Sequence, residues 1–366
     1  MAKYFIIAGE ASGDLHAAEL MKEIRQRDPE VHFAGLGGDK MAQAGCQLYQ
    51  DYRKMAFMGF AAVLANMGQV RRNFQIAREA LLTEKPDALI LIDYPSFNLR
   101  MASFCRQQLP ATKIYYYIPP KVWAWKRWRI HKIARLCDEV LGIFPFEPAF
   151  YARYGYRCTY VGNPTAEEIR AKNGKRKDKS HKIAILPGSR KGEIKHCLPK
   201  MLHAARCFKD YEIVVTAAPG IEDAYYTPYL QDGEQLTRDT HGAVLQARAA
   251  IVNSGTATLE TALLGCPQVA VYHLSPAPVI RALRWMQPLL FSTPYFTLVN
   301  IISGKEVIKE CLANDFTEEK VAQELERLLT DRTYTKKMLA SYEHLSQLLG
   351  CQSASATAAA IITSKQ

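Results

Sequence analysis

Several features that mark common protein classes are missing from this 366-residue sequence. It contains no run of 18 apolar residues, so no segment is predicted to span a membrane. Its nine cysteines are odd in number and include no CxxC pair. This pattern argues against a zinc site or a disulfide framework and favours free thiols in a reducing compartment. No DxD pair and no GxGxxG motif occurs. We therefore predict neither a metal-assisted sugar-diphosphate reaction nor a dinucleotide, and no cofactor at all.

What the sequence does contain is an excess of positive charge. The formal net charge is +11, while hydrophobic residues make up 48% and charged residues 23% of the chain, as in globular proteins. An excess of this size favours polyanionic partners, which include nucleic acid, anionic lipid and phosphorylated substrates. The alternative is a cytosolic protein that is merely basic, because charge alone identifies no partner.

Continuous apolar segments alternate with helical ones along the chain, which is typical of parallel sheets covered on both faces. The first such segment, KYFIIAG, is predicted to be a buried strand. Residues 165–182 are almost free of apolar side chains and are predicted to link two domains. The predicted fold is α/β with two Rossmann-like domains, 1–166 and 167–344, followed by a helical segment at 345–366.

The segment AAIVNSGTATLE in the second half is predicted to be a strand, a short loop and the start of a helix. The N–H groups and the positive end of such a helix bind phosphate. Ser254 and Thr256 would add hydroxyl donors beside Asn253 and Gly255, and Glu260 could accept hydrogen bonds from a ribose diol. The alternative is an ordinary N-cap with a glutamate in the first turn.

A second loop in the same half, LPGSR, follows the strand that opens the predicted second domain. Gly188 and Ser189 form the turn, and Arg190 could neutralise a departing diphosphate. Both loops leave strands of one sheet, so they should meet at its carboxyl edge, where ligands bind. The alternative for Arg190 is an ordinary surface position.

The first half carries a candidate general base. Asp93 ends the apolar run ALILID, where a side chain can point into a ligand crevice and take a proton from a sugar hydroxyl. Asn98 either orients an acceptor or caps the next helix. The glycine-rich turn after the first strand is predicted to line the same cleft, with helix capping as its alternative. Its candidate residues are Gly9, Ser12 and Asp14.

Residues 118–136 combine tryptophans with basic side chains, a mixture found both in nucleic-acid sites and in surfaces that stack sugars or bind lipid phosphates. No signature of a nucleic-acid-binding fold accompanies it, so we predict no nucleic-acid partner.

Residues 56–70 are predicted to form a helix that contacts a membrane. The stretch 56–67 is uncharged and has too many apolar groups for one core-facing stripe. This pattern is typical of a segment lying in a bilayer interface. The alternative is a helix buried between domains or in a homodimer. The residues predicted to touch lipid are Phe60, Val63, Leu64, Met67, Arg71 and Arg72.

Taken together and in order, the motifs GEASGD, IDYPSFN, PPKVWAWKRWR, PFE, VGNP, LPGSR and NSGTATLE resemble those of the lipid-A-disaccharide synthases, a family of B-type glycosyltransferases. The resemblance spans nearly the whole chain. It implies two domains facing across a cleft, an acceptor site in the first, a UDP-sugar site in the second, and a final helix that returns to the first.

The resemblance also implies an activity and its location. The family joins UDP-2,3-diacylglucosamine to 2,3-diacylglucosamine 1-phosphate and releases UDP, so both partners are glycolipids. By motif, Asp93 matches the general base, while Arg190 and Glu260 match donor-site residues. The implied location is the cytoplasm, attached peripherally to the inner membrane. Two positions depart from the family pattern: Ser96 stands where a second aspartate is frequent, and Asn163 where histidine is usual.

Two other functions remain open from the sequence. One is a different UDP-sugar enzyme of this fold, such as an N-acetylglucosamine epimerase or a muramyl-type transferase. The apolar helix at 56–67 is the discriminating feature, because a soluble epimerase does not need it. The other is a non-catalytic protein that binds membranes or nucleic acid.

Overall fold

The computed structural model describes residues 1–55, 67–124, 126–172, 181–273 and 294–364. The chain forms two compact units: unit 1 is Met1–Pro164 with Cys351–Gln366, and unit 2 is Thr165–Gly350. Each unit contains one parallel sheet. The predicted α/β fold with two Rossmann-like domains is therefore confirmed.

Unit 1 is built on a seven-stranded sheet in the order β3-β2-β1-β4-β5-β6-β7. The order reverses between β1 and β4, and such a switch point opens a crevice for ligands at the carboxyl edge. The strands are β1 Lys3–Ala8, β2 His32–Gly37, β3 Gln47–Asp51, β4 Ala88–Ile92, β5 Lys113–Tyr117, β6 Glu139–Gly142 and β7 Thr159–Tyr160. The described helices among them are α1 Ala11–Arg27, α2 Asp39–Gln43, α3 Met67–Glu84, α4 Pro95–Gln108, α5 Arg129–Leu136 and α6 Glu147–Ala152.

Unit 2 repeats this plan with six strands in the order β10-β9-β8-β11-β12-β13. Its strands are β8 Lys182–Leu186, β9 Glu212–Thr216, β10 Gln235–Thr237, β11 Ala249–Asn253, β12 Gln268–Tyr272 and β13 Lys309–Leu312. The described helices are α7 Pro164–Ala171, α8 Lys191–Arg206, α9 Thr240–Gln246, α10 Thr256–Leu263, α11 Leu298–Ser303, α12 Glu318–Thr330 and α13 Arg332–Leu349.

The polar stretch predicted as a linker begins as a helix. Residues 164–171 form α7, because Ala166 and Ile169 are spaced three apart and are both buried. The predicted membrane helix is described only from Met67 onwards. The predicted lipid contacts Phe60, Val63 and Leu64 lie outside the described residues. Within the described ranges, no helix is both long and apolar enough to cross a bilayer.

The final segment, predicted as one unit over 345–366, is divided at Gly350. That glycine has a φ of 64°, a left-handed conformation that ends α13 while Leu345 and Leu349 are still buried in unit 2. The last helix, α14 Ala354–Ser364, packs against α1 of unit 1. Its small side chains let the two helices approach closely.

The first prediction tests whether α14 contributes to the core of unit 1. Ile362 is fully buried in the cluster that contains the inner residues of α1, whereas Ile361 on the same helix is only partly buried. Replacing Ile362 by Ala should lower the free energy of unfolding by about 2–5 kcal/mol. Ile361→Ala is the matched control and should cost clearly less. Denaturant unfolding measures both, and equal losses would show that α14 is not part of this core.

Candidate active site

Three neighbouring strands of unit 1 end at the same place on the carboxyl edge of the sheet. Ala8 of β1 lies opposite Ile92 of β4, and Ile92 lies opposite Tyr117 of β5. The next residues, including Asp93, therefore come together at the switch point of the sheet. This is the position in which open parallel sheets bind ligands.

The backbone at Asp93 is held in an unusual conformation. Asp93 and Tyr94 both have φ near 43°, in the left-handed region that non-glycine residues seldom adopt. The Asp93 N–H donates to the Ile118 carbonyl at 3.2 Å. Its own carbonyl accepts from Asn98 Nδ2 and from the Tyr116 hydroxyl, each at 2.7 Å. These three bonds hold the main chain of the turn and so determine where the Asp93 side chain begins.

A glycine directly after the neighbouring strand β1 makes room for this turn. A Cβ atom at Gly9 would lie only 2.2 Å from the Tyr94 ring, so no larger residue fits. The Tyr94 hydroxyl donates to the Met55 carbonyl at 2.7 Å. Gly9 therefore leaves the space that the Tyr94 ring occupies, while its predicted place in the acceptor cleft stays a prediction.

The Asp93 carboxyl is a stronger base than an ordinary aspartate. Burial, followed by the charge of the neighbouring Glu10 carboxyl and a hydrogen bond with it, raises the pKa of Asp93 to about 6. The Lys121 ammonium acts in the opposite direction. Ser12, predicted at this site, donates from Oγ to Glu10 Oε1 at 2.9 Å.

Glu10 and Lys121 were not among the residues predicted for the site. Glu10 stands inside the GEASGD motif, and Lys121 belongs to the basic tryptophan-rich segment. The position of Glu10 directly after a strand was a signal that could have identified it.

Two residues predicted to line the acceptor cleft, Asp14 and Asn98, are buried and form hydrogen bonds with the backbone. The Asp14 carboxylate accepts from the backbone N–H groups of Gly38, Lys40 and Met41 at 2.7–3.1 Å. It therefore caps α2, where free N–H groups need an acceptor. Asn98 is fully buried and bonds to main-chain carbonyls in the Asp93 turn. Both Asp14 oxygens and the Asn98 amide nitrogen are thus bonded within the protein, whereas the buried Asn98 Oδ1 has no hydrogen-bond partner among the described residues.

The two positions that depart from the family pattern also have structural contacts. Asn163 is buried, and its Nδ2 donates to the Ile143 carbonyl at 3.0 Å. Ser96 is exposed at the start of α4, where its Oγ accepts from Arg129 Nη2 at 3.2 Å.

The first candidate loop of unit 2 follows β8. Gly188 has a φ of 113°, and a Cβ atom there would lie 2.5 Å from both Asn253 Nδ2 and Glu193 Oε2. The two predicted donor loops therefore meet at Gly188. Glu193, which was not predicted from the sequence, accepts from the Ser189 N–H at 3.0 Å and from Arg190 Nη1 at 3.0 Å. The Arg190 side chain remains 61% exposed and available to a ligand.

The second candidate loop follows β11 and leads into α10. Ser254 is partly exposed to solvent, and Gly255 and Thr256 at the start of α10 are exposed. This helix end is therefore accessible to an anion. Asn253 differs, because it is buried and its Oδ1 accepts from Cys197 Sγ at 3.6 Å. The pKa of Glu260 is raised, mainly by burial and secondly by the charge of Glu168.

A comparison with protein-family models matches residues 4–363 to "Lipid-A-disaccharide synthetase". Among curated proteins, the lipid-A-disaccharide synthase of Geobacter sulfurreducens is 35% identical, and the match covers 98% of this chain and 96% of that protein. The lipid-A-disaccharide synthase of Myxococcus xanthus is also 35% identical, with the same two coverages.

Solved structures that resemble the chain share its fold. The glycosyltransferase of kitacinnamycin gives a TM-score of 0.64 at 13% identity and covers 100% of this chain and 99% of its own. The UDP-GlcNAc 2-epimerase of Neisseria meningitidis, bound to UDP-GlcNAc, gives 0.63 at 10% identity, with coverages of 99% and 99%. At these identities the likeness establishes the B-type fold and no specific reaction.

The second prediction concerns the carboxyl pair in unit 1. Since Glu10 contributes to the raised pKa of Asp93, Glu10→Gln should lower that pKa from about 6 towards the ordinary value of 3.8. A ¹³C NMR titration of the Asp93 carboxyl measures the change. Glu19→Gln, on an exposed part of α1, is the control and should have no effect. An unchanged Asp93 pKa in Glu10→Gln would remove Glu10 from the site.

Proposed function

This chain belongs to the lipid-A-disaccharide synthetase family, and we propose that Asp93 is the general base with which it joins two acylated glucosamine units. It is a glycosyltransferase of lipid A biosynthesis. The proposed donor is UDP-2,3-diacylglucosamine, the acceptor is 2,3-diacylglucosamine 1-phosphate, and UDP is released. The observation that carries this assignment is 35% identity to named synthases over 98% of the chain.

The proposed reaction is a single displacement. The acceptor hydroxyl oxygen forms a bond to the anomeric carbon of the donor sugar while the bond from that carbon to the diphosphate oxygen breaks. Attack from the face opposite the departing UDP inverts the configuration. Asp93 takes the hydroxyl proton, and its pKa of about 6 suits this role because the carboxylate is ionised at neutral pH yet still basic.

The donor is assigned to unit 2. Arg190, exposed at the carboxyl edge, would neutralise the charge that develops on the diphosphate. The N-terminus of α10, with Ser254 and Thr256, would hold the phosphates, and Gly188 allows the two loops to meet. Glu260 is proposed to accept hydrogen bonds from the ribose. No metal ion is required in this scheme, because a guanidinium and a helix end provide the positive charge.

The epimerase alternative rests on fold alone. The UDP-GlcNAc 2-epimerase of Neisseria meningitidis is 10% identical to this chain, whereas the synthase of Geobacter sulfurreducens is 35% identical over nearly the whole length. An epimerase also needs no acceptor base of the kind proposed for Asp93.

We further propose that the enzyme works at the cytoplasmic face of the inner membrane, since both substrates carry acyl chains. Arg71 and Arg72, predicted to touch lipid, are both exposed. Arg71 belongs to the lining of a groove of about 600 Å³ between α3 and α4. The lining also contains two further arginines, two aromatic rings and one acidic side chain: Arg78, Arg100, Phe74, Phe104 and Glu79. The Arg78 guanidinium lies 5.0 Å from the Phe104 ring centroid.

The positive charge of two arginines supports the groove between α3 and α4 as the proposed membrane contact. The guanidinium of Arg100 lies 5.3 Å from the Phe74 ring centroid. Neither Arg78 nor Arg100 forms an ion pair with a carboxylate in the described part of the chain. Their charges are therefore available to lipid phosphates, and Leu82 in the same groove is 39% exposed. A homodimer, left open by the sequence, stays a prediction.

The third prediction separates the acceptor side from the donor side. Asp93→Asn should lower kcat by about 10²–10⁴-fold, the usual cost of losing a general base, while UDP affinity is retained. Glu260→Gln should show the opposite pattern, with weaker UDP binding. Assays of UDP release with the two lipid substrates and calorimetry with UDP measure these effects. Wild-type kcat in Asp93→Asn at every pH would exclude Asp93 as the base.

The fourth prediction concerns the groove between α3 and α4. Replacing Arg78 and Arg100 by Gln should weaken binding to phosphatidylglycerol vesicles by about 30-fold, from roughly 1 kcal/mol per cation near an anionic surface. Arg153→Gln with Arg157→Gln, which removes two exposed charges elsewhere in unit 1, is the matched control. Vesicle sedimentation measures binding. Equal losses in the two double variants would mean that only net charge matters and that the groove is not the contact.

A further inference from the structure

One buried carboxylate at the same sheet edge has no part in the mechanism described so far. Glu147 begins α6 just after β6 and is 1% exposed. Its Oε2 accepts from the N–H groups of Ile143 and Phe144 at 2.8 and 2.9 Å. Its Oε1 accepts from the indole N–H of Trp123 at 3.1 Å. The two oxygens therefore act differently, since one closes the local turn and the other reaches a residue 24 positions earlier.

Trp123 lies near the carboxyl end of a short segment, residues 118–124, which follows β5. The indole is 3% exposed and meets the rings of Phe144 and Phe146 edge-on, at centroid distances of 5.6 and 5.0 Å. These contacts and the bond to Glu147 fix the segment at its carboxyl end.

The same segment is fixed at its other end by the Asp93 turn. The Ile118 carbonyl accepts from the Asp93 N–H at 3.2 Å, and Ile118 has a φ of 58°. Between the two ends, the Ala124 N–H donates to the Lys121 carbonyl at 2.9 Å, which makes the segment compact. Residues 118–124 thus form a strap held by Asp93 on one side and by Glu147 on the other.

Lys121 lies in the middle of this strap, and its charge acts on the base. The Lys121 ammonium lowers the pKa of Asp93. Burial lowers the pKa of Lys121 itself, and the charges of Asp93, Glu147 and Glu10 act against that effect. Its Nζ is 6.0 Å from the centroid of the Phe144 ring, which packs against Trp123. The position of the ammonium therefore depends on how Trp123 is held.

We propose that Glu147 is a positioning residue for the glycosyl transfer: by holding the Trp123 indole it fixes the strap 118–124, and through the strap it keeps Lys121 beside Asp93. The inference rests on the proposed role of Asp93 as the base. Glu147 itself touches no substrate in this scheme.

Two substitutions cut the same link from opposite sides. In Glu147→Gln, the amide oxygen can still accept from the Ile143 and Phe144 N–H groups, but the amide nitrogen then faces the indole N–H and two donors meet. Trp123→Phe keeps an aromatic ring in place and removes only the indole donor, without any change of charge. Both variants should retain the fold, which thermal unfolding checks.

The expected result is a loss in kcat with the donor side unchanged. Each single variant should lower kcat by about 10- to 100-fold, as for small displacements of catalytic groups, while KM for the UDP donor stays the same. The double variant should be no worse than either single one, because the link is already broken.

The pH profile gives a readout that a purely structural role would not move. The charged groups facing Asp93 are Glu10 from the start of α1 and Lys121 from the strap, with the Tyr116 hydroxyl of β5 on its carbonyl. If Lys121 moves away, the pKa of Asp93 rises, so the acidic limb of kcat should shift to higher pH in both variants. Burial raises the pKa of Glu147 to about 7, so Trp123→Phe, which retains the Glu147 carboxyl, is the variant in which a shift of the acidic limb reports on Lys121 alone.

A second buried glutamate supplies the matched controls. Glu324 in unit 2 is 9% exposed and accepts from the Tyr334 hydroxyl at 2.6 Å. Glu324→Gln and Tyr334→Phe should change neither kcat nor the pH profile. The proposal is overturned if the acidic limb stays in place or moves down, or if the effects of Glu147→Gln and Trp123→Phe add. Activity retained by Asp93→Asn would instead overturn the choice of base, so the two failures can be told apart.

Discussion

At Asp93 the chain must leave a buried strand and turn at once into a helix, and the candidate site of unit 1 depends on how this turn is held. The left-handed backbone at Asp93 and Tyr94 is an unfavourable conformation that persists only when its surroundings determine it. Asn98 and Ile118 supply that constraint through main-chain hydrogen bonds. Because these bonds hold the turn, they also set the direction in which the Asp93 side chain points from the sheet edge. Gly9 leaves the space that the Tyr94 ring occupies.

The proposed roles of the two units place opposite electrostatic demands on the same edge of the same kind of sheet. In unit 1 the key carboxyl is partly buried beside a second carboxyl, which raises its affinity for a proton. In unit 2 the proposed cation, Arg190, is largely exposed and shares Glu193 with the loop backbone, which leaves its guanidinium accessible to a diphosphate. A base benefits from desolvation, whereas a cation that receives a large anion benefits from access.

Buried polar side chains connect these working groups to the scaffold of unit 1. Asp14 caps a helix, Asn98 holds the Asp93 turn, and Glu147 ties one loop to another. Asp14 and Glu147 satisfy backbone or indole N–H groups that would otherwise be buried without a partner, and Asn98 does the same for main-chain carbonyls. The proposed site is therefore held by groups that are bonded within the protein, and we expect a change in one of them to alter the chemistry at a distance.

The sequence by itself determined the alternation of strands and helices, and with it the two parallel sheets and the strand ends that carry Asp93, Arg190 and the loop at Ser254. These features follow from local periodicity and from the rule that parallel strands end at one edge. The tertiary structure alone decided which polar residues face the site. Asp14 was indistinguishable from a cleft residue until α2 placed three free N–H groups in front of it. The position of Glu10 after β1 marks it as a candidate, but its interaction with Asp93, like that of Glu147 with Trp123, joins residues far apart in sequence and is therefore decided by the tertiary structure.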